Sequence, residues 1–106
     1  MKVIILALIL SAGSAVAAED LSTSAGRGHP FVKNHCASCH SVEKEGSSPN
    51  TKSPPLRDLH RKYPIENLRE SFAEGMETGH NDMPDLELKG GEIDDVIAYI
   101  ESLSAK

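Results

Sequence analysis

Two cysteines and a histidine stand close together in the first half of the chain, in the run Cys36-Ala37-Ser38-Cys39-His40. This run has the C-x-x-C-H pattern of covalent haem c attachment. Two thiols separated by two residues can add across the two vinyl groups of one haem, and the adjacent imidazole then gives an axial nitrogen to the iron. The motif therefore predicts a single haem c, bound covalently through Cys36 and Cys39 and ligated by His40.

Other chemistries also use pairs of cysteines, and this sequence fits each of them less well. A disulfide between Cys36 and Cys39 would close a very short loop and contribute little stability. A thioredoxin-like redox pair needs a neighbouring strand and helix, and no segment alternates like a strand. A zinc site usually needs a second pair of cysteines or histidines at a matching spacing. Haem attachment uses both cysteines of the chain, which suits an oxidising compartment.

The N-terminus has the layout of an export signal. A lysine precedes an unbroken apolar run over residues 3–10, and small residues follow it. We predict a signal peptide over residues 1–18, cleaved after Ala17 or Ala18, and a single mature domain over residues 19–106. The apolar run would rise only about 12 Å as a helix, against about 30 Å for a hydrocarbon core, so no stable membrane anchor is expected. Export by this signal predicts a periplasmic location.

Two segments have the apolar periodicity of helices. Residues 92–103 carry apolar side chains in steps of three and four, with acidic residues in the first turn, and are predicted to be helical. Residues 64–76 repeat the pattern, and Pro64 suits the first position of a helix because its missing N–H would be unpaired there. Met76 falls on the apolar stripe of this second helix and is assigned to the core.

The rest of the chain is predicted to form one short helix and two long loops. Pro30 interrupts any long helix before the motif, so a short helix is expected from about Gly28 or His29 to the first cysteine. Residues 41–63 are rich in turn residues without a sustained period, and a second loop covers residues 77–91. Structureless loops of this length are uncommon in a compact domain unless they are functional. The predicted class is all-α, with three to four short helices and long loops.

Several segments together resemble the class I c-type cytochromes over nearly the whole predicted mature chain. Residues 28–31 are similar to the family's N-terminal helix, and residues 97–103 to its C-terminal helix, whose aromatic residue packs across the glycine of the first. Residues 54–56 resemble the loop in which a carbonyl accepts a hydrogen bond from the proximal histidine. Residues 81–84 resemble the loop that carries the sixth ligand. The resemblance implies a cytochrome c fold wrapped around one covalently attached haem.

Met83 is the predicted sixth ligand of the iron. It lies between two predicted helices, 43 residues after His40, and a thioether ligand favours the ferrous state. His80 offers a bis-histidine alternative, and an open sixth position is another. The remaining histidines are expected at the surface: His29, His35 and His60.

The resemblance also suggests which residues surround the haem. Arg57, Arg61 and Tyr63 lie in the loop that the family uses to pair the propionates, because unpaired buried charge is costly. Together with Pro54, they are the predicted propionate or pocket contacts. Solvated surface charge is the alternative for both arginines.

The composition limits the classes of partner. A net charge of −5 argues against nucleic acid and anionic lipid. The chain has no tryptophan and 4% aromatic residues, so a cofactor is expected to fill part of a small domain's interior. Asp82, Asp85 and Glu87 flank Met83 and would surround an exposed haem edge with negative charge. This charge favours a redox partner with a basic docking face.

These features predict a monomeric, periplasmic single-electron carrier that shuttles electrons between redox proteins and is not an enzyme. No catalytic triad, pair of carboxylates or phosphate-binding loop occurs in a context that supports catalysis. Two alternatives stay open, a haem c enzyme or its electron-entry subunit and a gas-binding haem protein. Both require that Met83 does not bind the iron.

Overall fold

The computed structural model describes residues 20–62, 64–74 and 88–104, together with Val3, Met83 and Leu86. Within them the chain forms four helices: α1 over Ser24–Cys36, a 3-10 helix over Leu56–Arg61, α2 over Asn67–Glu74 and α3 over Gly90–Ser104. None of these residues belongs to a strand. The predicted all-α class is confirmed. The predicted signal peptide lies outside the described residues, apart from Val3.

Helix α3 is the centre of the packing, because α1, the 3-10 helix and α2 all contact it. Its apolar stripe is buried, as the periodicity predicts, and includes Val96 and Ile97, each 2% exposed. The other three helices each contribute buried apolar side chains to the same cluster, including Val32, Leu59 and Phe72. No helix in the described ranges has the length and apolarity needed to span a membrane.

Helices α1 and α3 approach most closely at Gly28. A Cβ atom at this position would lie 2.0 Å from the Asp95 carbonyl oxygen and 2.9 Å from the Cβ of Tyr99. The absent side chain of Gly28 therefore permits the crossing of the two helices. The contact confirms that the aromatic residue of the C-terminal helix packs across this glycine.

Helix α1 begins earlier than the sequence predicts. It starts at Ser24 and contains Pro30, so the expectation of a short helix from Gly28 or His29 is wrong. Thr23 caps the helix, and its hydroxyl accepts a hydrogen bond from the Gly26 N–H at 3.0 Å. A proline inside a helix removes one hydrogen bond and crowds the carbonyl four residues earlier, at a cost of about 3 kcal/mol. Burial of Gly28 and Val32, on either side of Pro30, opposes this cost and keeps the helix continuous.

The segment before α2 also differs from the prediction. Pro64 and Ile65 lie in a turn, and α2 begins at Asn67 rather than at the proline. The turn is closed by hydrogen bonds from the Asn67 and Leu68 N–H groups to the carbonyls of Pro64 and Ile65. Met76, assigned to the core from the sequence, lies outside the described residues.

The first predicted loop contains the 3-10 helix, which the sequence pattern did not reveal. Leu56 and Leu59 are its two buried residues. Because a 3-10 segment of six residues presents only two apolar side chains to the core, its pattern is too short to stand out from a loop. This helix directly follows Pro54 and Pro55 and so anchors the loop beside the C-x-x-C-H motif.

Candidate haem-binding site

A cleft beside the end of α1 brings five of the predicted site residues together. They are Cys36, Cys39, His40, Pro54 and Met83. The cleft has a volume of about 240 Å³ and is partly open to solvent, which is slightly below the range of about 300–1,000 Å³ for small-molecule and cofactor sites. Residues from three separate parts of the sequence therefore share one binding site.

The end of α1 positions the two cysteines and the histidine. Cys36 is the last residue of the helix, and its carbonyl accepts hydrogen bonds from the N–H groups of Cys39 at 3.2 Å and His40 at 2.9 Å. The Cys39 carbonyl in turn accepts from the Asn50 N–H at 3.1 Å. The chain therefore turns tightly after the helix, which keeps both thiols and the imidazole at the same cleft.

The bonding and the pKa of the two thiols bear on the disulfide and thioredoxin-like alternatives for this motif. Cys36 and Cys39 form no disulfide in the structure. Burial raises the pKa of the Cys36 thiol to about 11, whereas cysteines that exchange disulfides have a lowered pKa and react as thiolates. No group of three or more His, Cys, Asp or Glu residues in the described part of the chain could hold a metal ion. The raised pKa of the Cys36 thiol therefore disfavours the thioredoxin-like alternative.

The imidazole of His40 is held in one orientation by Pro54. His40 Nδ1 lies 2.7 Å from the Pro54 carbonyl oxygen, which is the hydrogen bond that the family resemblance implied. Since a carbonyl oxygen can only accept, Nδ1 is the donor in this hydrogen bond, and in the neutral imidazole the lone pair is then on Nε2. A metal-binding histidine usually donates its other N–H to a carbonyl or carboxylate in this way. His40 is thus prepared to bind iron through Nε2.

Met83 and Leu86 line the same cleft as His40 and are both partly exposed. Met83 is the thioether that the sequence predicts as the sixth ligand, while Leu86 has no donor atom. The alternative ligand His80 lies outside the described residues, as do the three acidic residues that flank Met83.

The two arginines predicted to pair the propionates do not line the cleft. Arg57 donates instead to the carbonyl of Gly46 at 2.7 Å and to the hydroxyl of Ser41 at 3.0 Å. Arg61 is exposed and has Asp58 at 4.0 Å. The 3-10 helix carries both arginines, and the propionate contact predicted for them stays a prediction. Tyr63 lies outside the described residues.

The cleft also contains polar residues that the sequence did not single out. Lys52, Asn50 and Ser53 line it from the segment just before Pro54. Lys52 could have been found from the sequence, because it lies two residues before Pro54, whose carbonyl orients His40. Its exposed side chain gives the cleft a positive charge in the described part.

The three histidines expected at the surface have different surroundings. His60 is exposed, as predicted. His35 is exposed but also lines the cleft, beside the ring of Phe31. His29 is half-buried, stacks on Tyr99 with ring centroids 4.7 Å apart, and places Nε2 2.7 Å from a carboxylate oxygen of Glu43. For His29, the surface expectation is met only in part, because the crossing of α1 and α3 brings its ring against Tyr99.

The donor atoms at this cleft fit haem c. They include two thiols spaced for the vinyl groups, an imidazole with a free Nε2, and a thioether. Cys36 and Cys39 would attach the haem, and His40 and Met83 are the candidate axial ligands.

The comparisons with known proteins agree with this fit. The chain matches the family described as Cytochrome c over residues 25–104, a range that contains every residue of the cleft and all four helices except Ser24, the first residue of α1. Neither the comparison with curated proteins nor that with solved structures gave a match. On the family match and the helical fold, the chain belongs to the cytochrome c family.

Proposed function

We propose that this protein is a periplasmic single-electron carrier with one covalently attached haem c, ligated by His40 and Met83. The supporting observation is the single cleft that Cys36, Cys39, His40 and Met83 line together. Membership of the cytochrome c family agrees with electron transfer through haem. The bound haem would supply the one-electron couple, and the chain would attach it, ligate it and limit its contact with water.

Axial ligation from both sides is what this role requires of the chain. A carrier works best when the iron keeps six ligands in both oxidation states, because little then moves when the electron is transferred. His40 is already oriented by the Pro54 carbonyl. Met83 would add a soft sulfur ligand, which raises the reduction potential relative to two histidines.

The alternative functions need an open position on the iron. A haem enzyme, or an electron-entry subunit with its own chemistry, would leave the iron position opposite His40 free. A gas-binding protein would do the same. The presence of Met83 at the cleft favours the carrier, so we propose no enzymatic activity for this chain.

The replacement Met83→Ala tests the proposed ligation. In the purified oxidised protein we expect the weak long-wavelength charge-transfer band of methionine-ligated ferric haem, and we expect Met83→Ala to abolish it. Leu86→Ala is the matched control, because Leu86 lines the same cleft without a donor atom. Absence of the band in the unmodified protein, or its survival in Met83→Ala, would contradict the proposal.

We further propose that the carrier acts as a monomer on redox proteins with a basic docking face. The net charge of −5 and the acidic residues Asp82, Asp85 and Glu87 beside Met83 support this partner. Association with such a partner should slow as ionic strength rises, because salt screens exposed charges. Stopped-flow rates between about 10 mM and 150 mM salt test it. Rates that do not change with salt would argue against a charged docking face.

Export is proposed from residues 1–18, which have the layout of a signal peptide. Mass spectrometry of the protein recovered from the periplasm should find a mature chain that begins at Ala18 or Glu19. Recovery of the full-length chain from the cytoplasm alone would reject this location.

A further inference from the structure

Arg57 joins the two segments that meet at the hydrogen bond between His40 and Pro54. It lies three residues after Pro54, and its guanidinium donates to the loop that follows His40. One terminal nitrogen is 3.0 Å from Ser41 Oγ, and the other is 2.7 Å from the Gly46 carbonyl oxygen. Both terminal nitrogens are therefore used on this loop.

A backbone hydrogen bond lies beside this side-chain link. The Leu56 N–H donates to the Ser41 carbonyl at 3.0 Å. Ser41 is 8% exposed, and its own N–H donates to Ser48 Oγ at 2.9 Å. Ser41 thus directly follows His40 and is held through its N–H, its carbonyl and its hydroxyl. Arg57 also donates to the Glu43 carbonyl at 3.4 Å. Four hydrogen bonds, three from Arg57 and one from Leu56, therefore connect this loop to the segment that follows Pro54.

The planar guanidinium suits this position better than any other cation. It offers five N–H donors in a fixed fork and stays charged at every accessible pH. Hydrogen bonds that involve a charged partner are stronger than neutral ones. The contacts of Arg57 therefore restrict how far the Pro54 segment can move from His40.

We propose that Arg57, with Ser41, is a positioning residue that keeps the Pro54 carbonyl on His40 Nδ1 and thereby lowers the reduction potential of the haem. The inference rests on the proposed haem ligation by His40. A stronger hydrogen bond at Nδ1 gives the imidazole more negative charge and makes it a better donor to iron. Stronger donation favours the more positively charged oxidised state, so loosening the bond should favour the reduced state.

The variants Arg57→Gln and Ser41→Ala test the proposal in the haem-loaded protein. Each removes part of the link and leaves every residue of the cleft unchanged. We expect the equilibrium with a reference couple to shift about threefold toward the reduced form in Ser41→Ala, which removes the bond to Arg57 without a change of charge. That change equals about 28 mV at 59 mV per tenfold for one electron. Arg61→Gln is the control, because this exposed arginine has only a long contact with Asp58, and its potential should stay unchanged.

Hydrogen exchange provides a second measurement that does not depend on redox behaviour. The Leu56 amide should exchange faster in Arg57→Gln and Ser41→Ala than in Arg61→Gln, because its acceptor lies on the loosened loop. A raised potential together with faster Leu56 exchange supports the proposal. An unchanged potential in Ser41→Ala overturns it, whether or not Arg57→Gln folds. The charge-transfer band of the unmodified protein separates this result from a failure of the proposed ligation by Met83.

Discussion

The carboxylate of Asp95 links α3 to the start of α1. It accepts a hydrogen bond from the Ser24 hydroxyl at 2.7 Å and another from Arg27 Nε at 3.3 Å. The hydrogen bond from Ser24 holds the pKa of Asp95 below its ordinary value, and the hydrogen bond and positive charge of Arg27 make smaller contributions in the same direction. A carboxyl group that is easier to ionise in the folded state makes stability depend on pH.

Replacement of Asp95 by asparagine should remove this pH dependence. Since the folded-state pKa is depressed, the contribution of the carboxylate is present above the unfolded value of about 4 and is lost as pH falls through the lower folded value. In Asp95→Asn the unfolding free energy at pH 7 should fall by about 0.5–1 kcal/mol, a range appropriate to a partly exposed pair. Denaturant unfolding between about pH 2.5 and 7 measures both effects. The control is Glu101→Gln, an exposed position on the same helix, and an acid dependence equal in Asp95→Asn and the unmodified protein would refute the assignment.

Single residues were predictable from the sequence where local chemistry fixes their role. Cys36, Cys39 and His40 lie within five consecutive residues, so their shared site follows from the motif itself. Arg57 was not predictable, because its acceptors at Ser41 and Gly46 depend on how the loop folds back. The same limit explains why the motif could not show the contact of His29 with α3.

The helices depend on one close crossing, at Gly28. A methyl group there would lie 2.0 Å from the Asp95 carbonyl oxygen, a backbone atom that cannot move without shifting α3. We expect Gly28→Ala to lower the free energy of unfolding by about 3 kcal/mol or to prevent folding, since forced overpacking costs about 1–3 kcal/mol even where side chains can adjust. Thermal unfolding followed by far-UV circular dichroism measures this change.

Gly91→Ala is the matched control for this helix crossing. A Cβ atom at Gly91 would meet no atom within 4 Å, and alanine is the better helix former by up to about 1 kcal/mol. Gly91→Ala should therefore be neutral or slightly stabilising. Equal stability of Gly28→Ala and Gly91→Ala would show that the crossing is not as close as the structure has it.

Whole helices were predictable where the apolar period is long. Residues 92–103 were predicted and Gly90–Ser104 are observed, because many buried positions define the stripe of α3. The start of α1 was missed because Pro30 counts against a helix locally, while the cap at Thr23 and the packing of Gly28 on α3 act in its favour. The 3-10 helix buries only Leu56 and Leu59, which is too little pattern to detect.

The molecule as a whole has a small apolar core on one side of the cleft. Buried aliphatic and aromatic side chains from all four helices meet around α3. The cleft, by contrast, is a cavity of about 240 Å³ lined by the motif and by Met83 and Leu86. A domain of this size buries only about 60–65% of the surface of its unfolded chain and is marginally stable even with a complete core. A cofactor in the cleft would supply the missing contacts.

Folding is therefore expected to depend on covalent haem attachment. The double variant Cys36→Ser/Cys39→Ser cannot form either thioether, so we expect it to lose haem during denaturation. Without haem, it should show little far-UV helical signal and no cooperative unfolding. Binding to the folded state alone stabilises that state, and a permanent tether keeps the cofactor at the site throughout refolding. The single variant Cys39→Ser, which keeps one thiol, is the control and should still carry covalent haem in mass spectra under denaturing conditions. A haem-free double variant with the helical content and cooperative transition of the unmodified protein would show that the side-chain core is sufficient, and the structural role given to the cofactor would then be wrong.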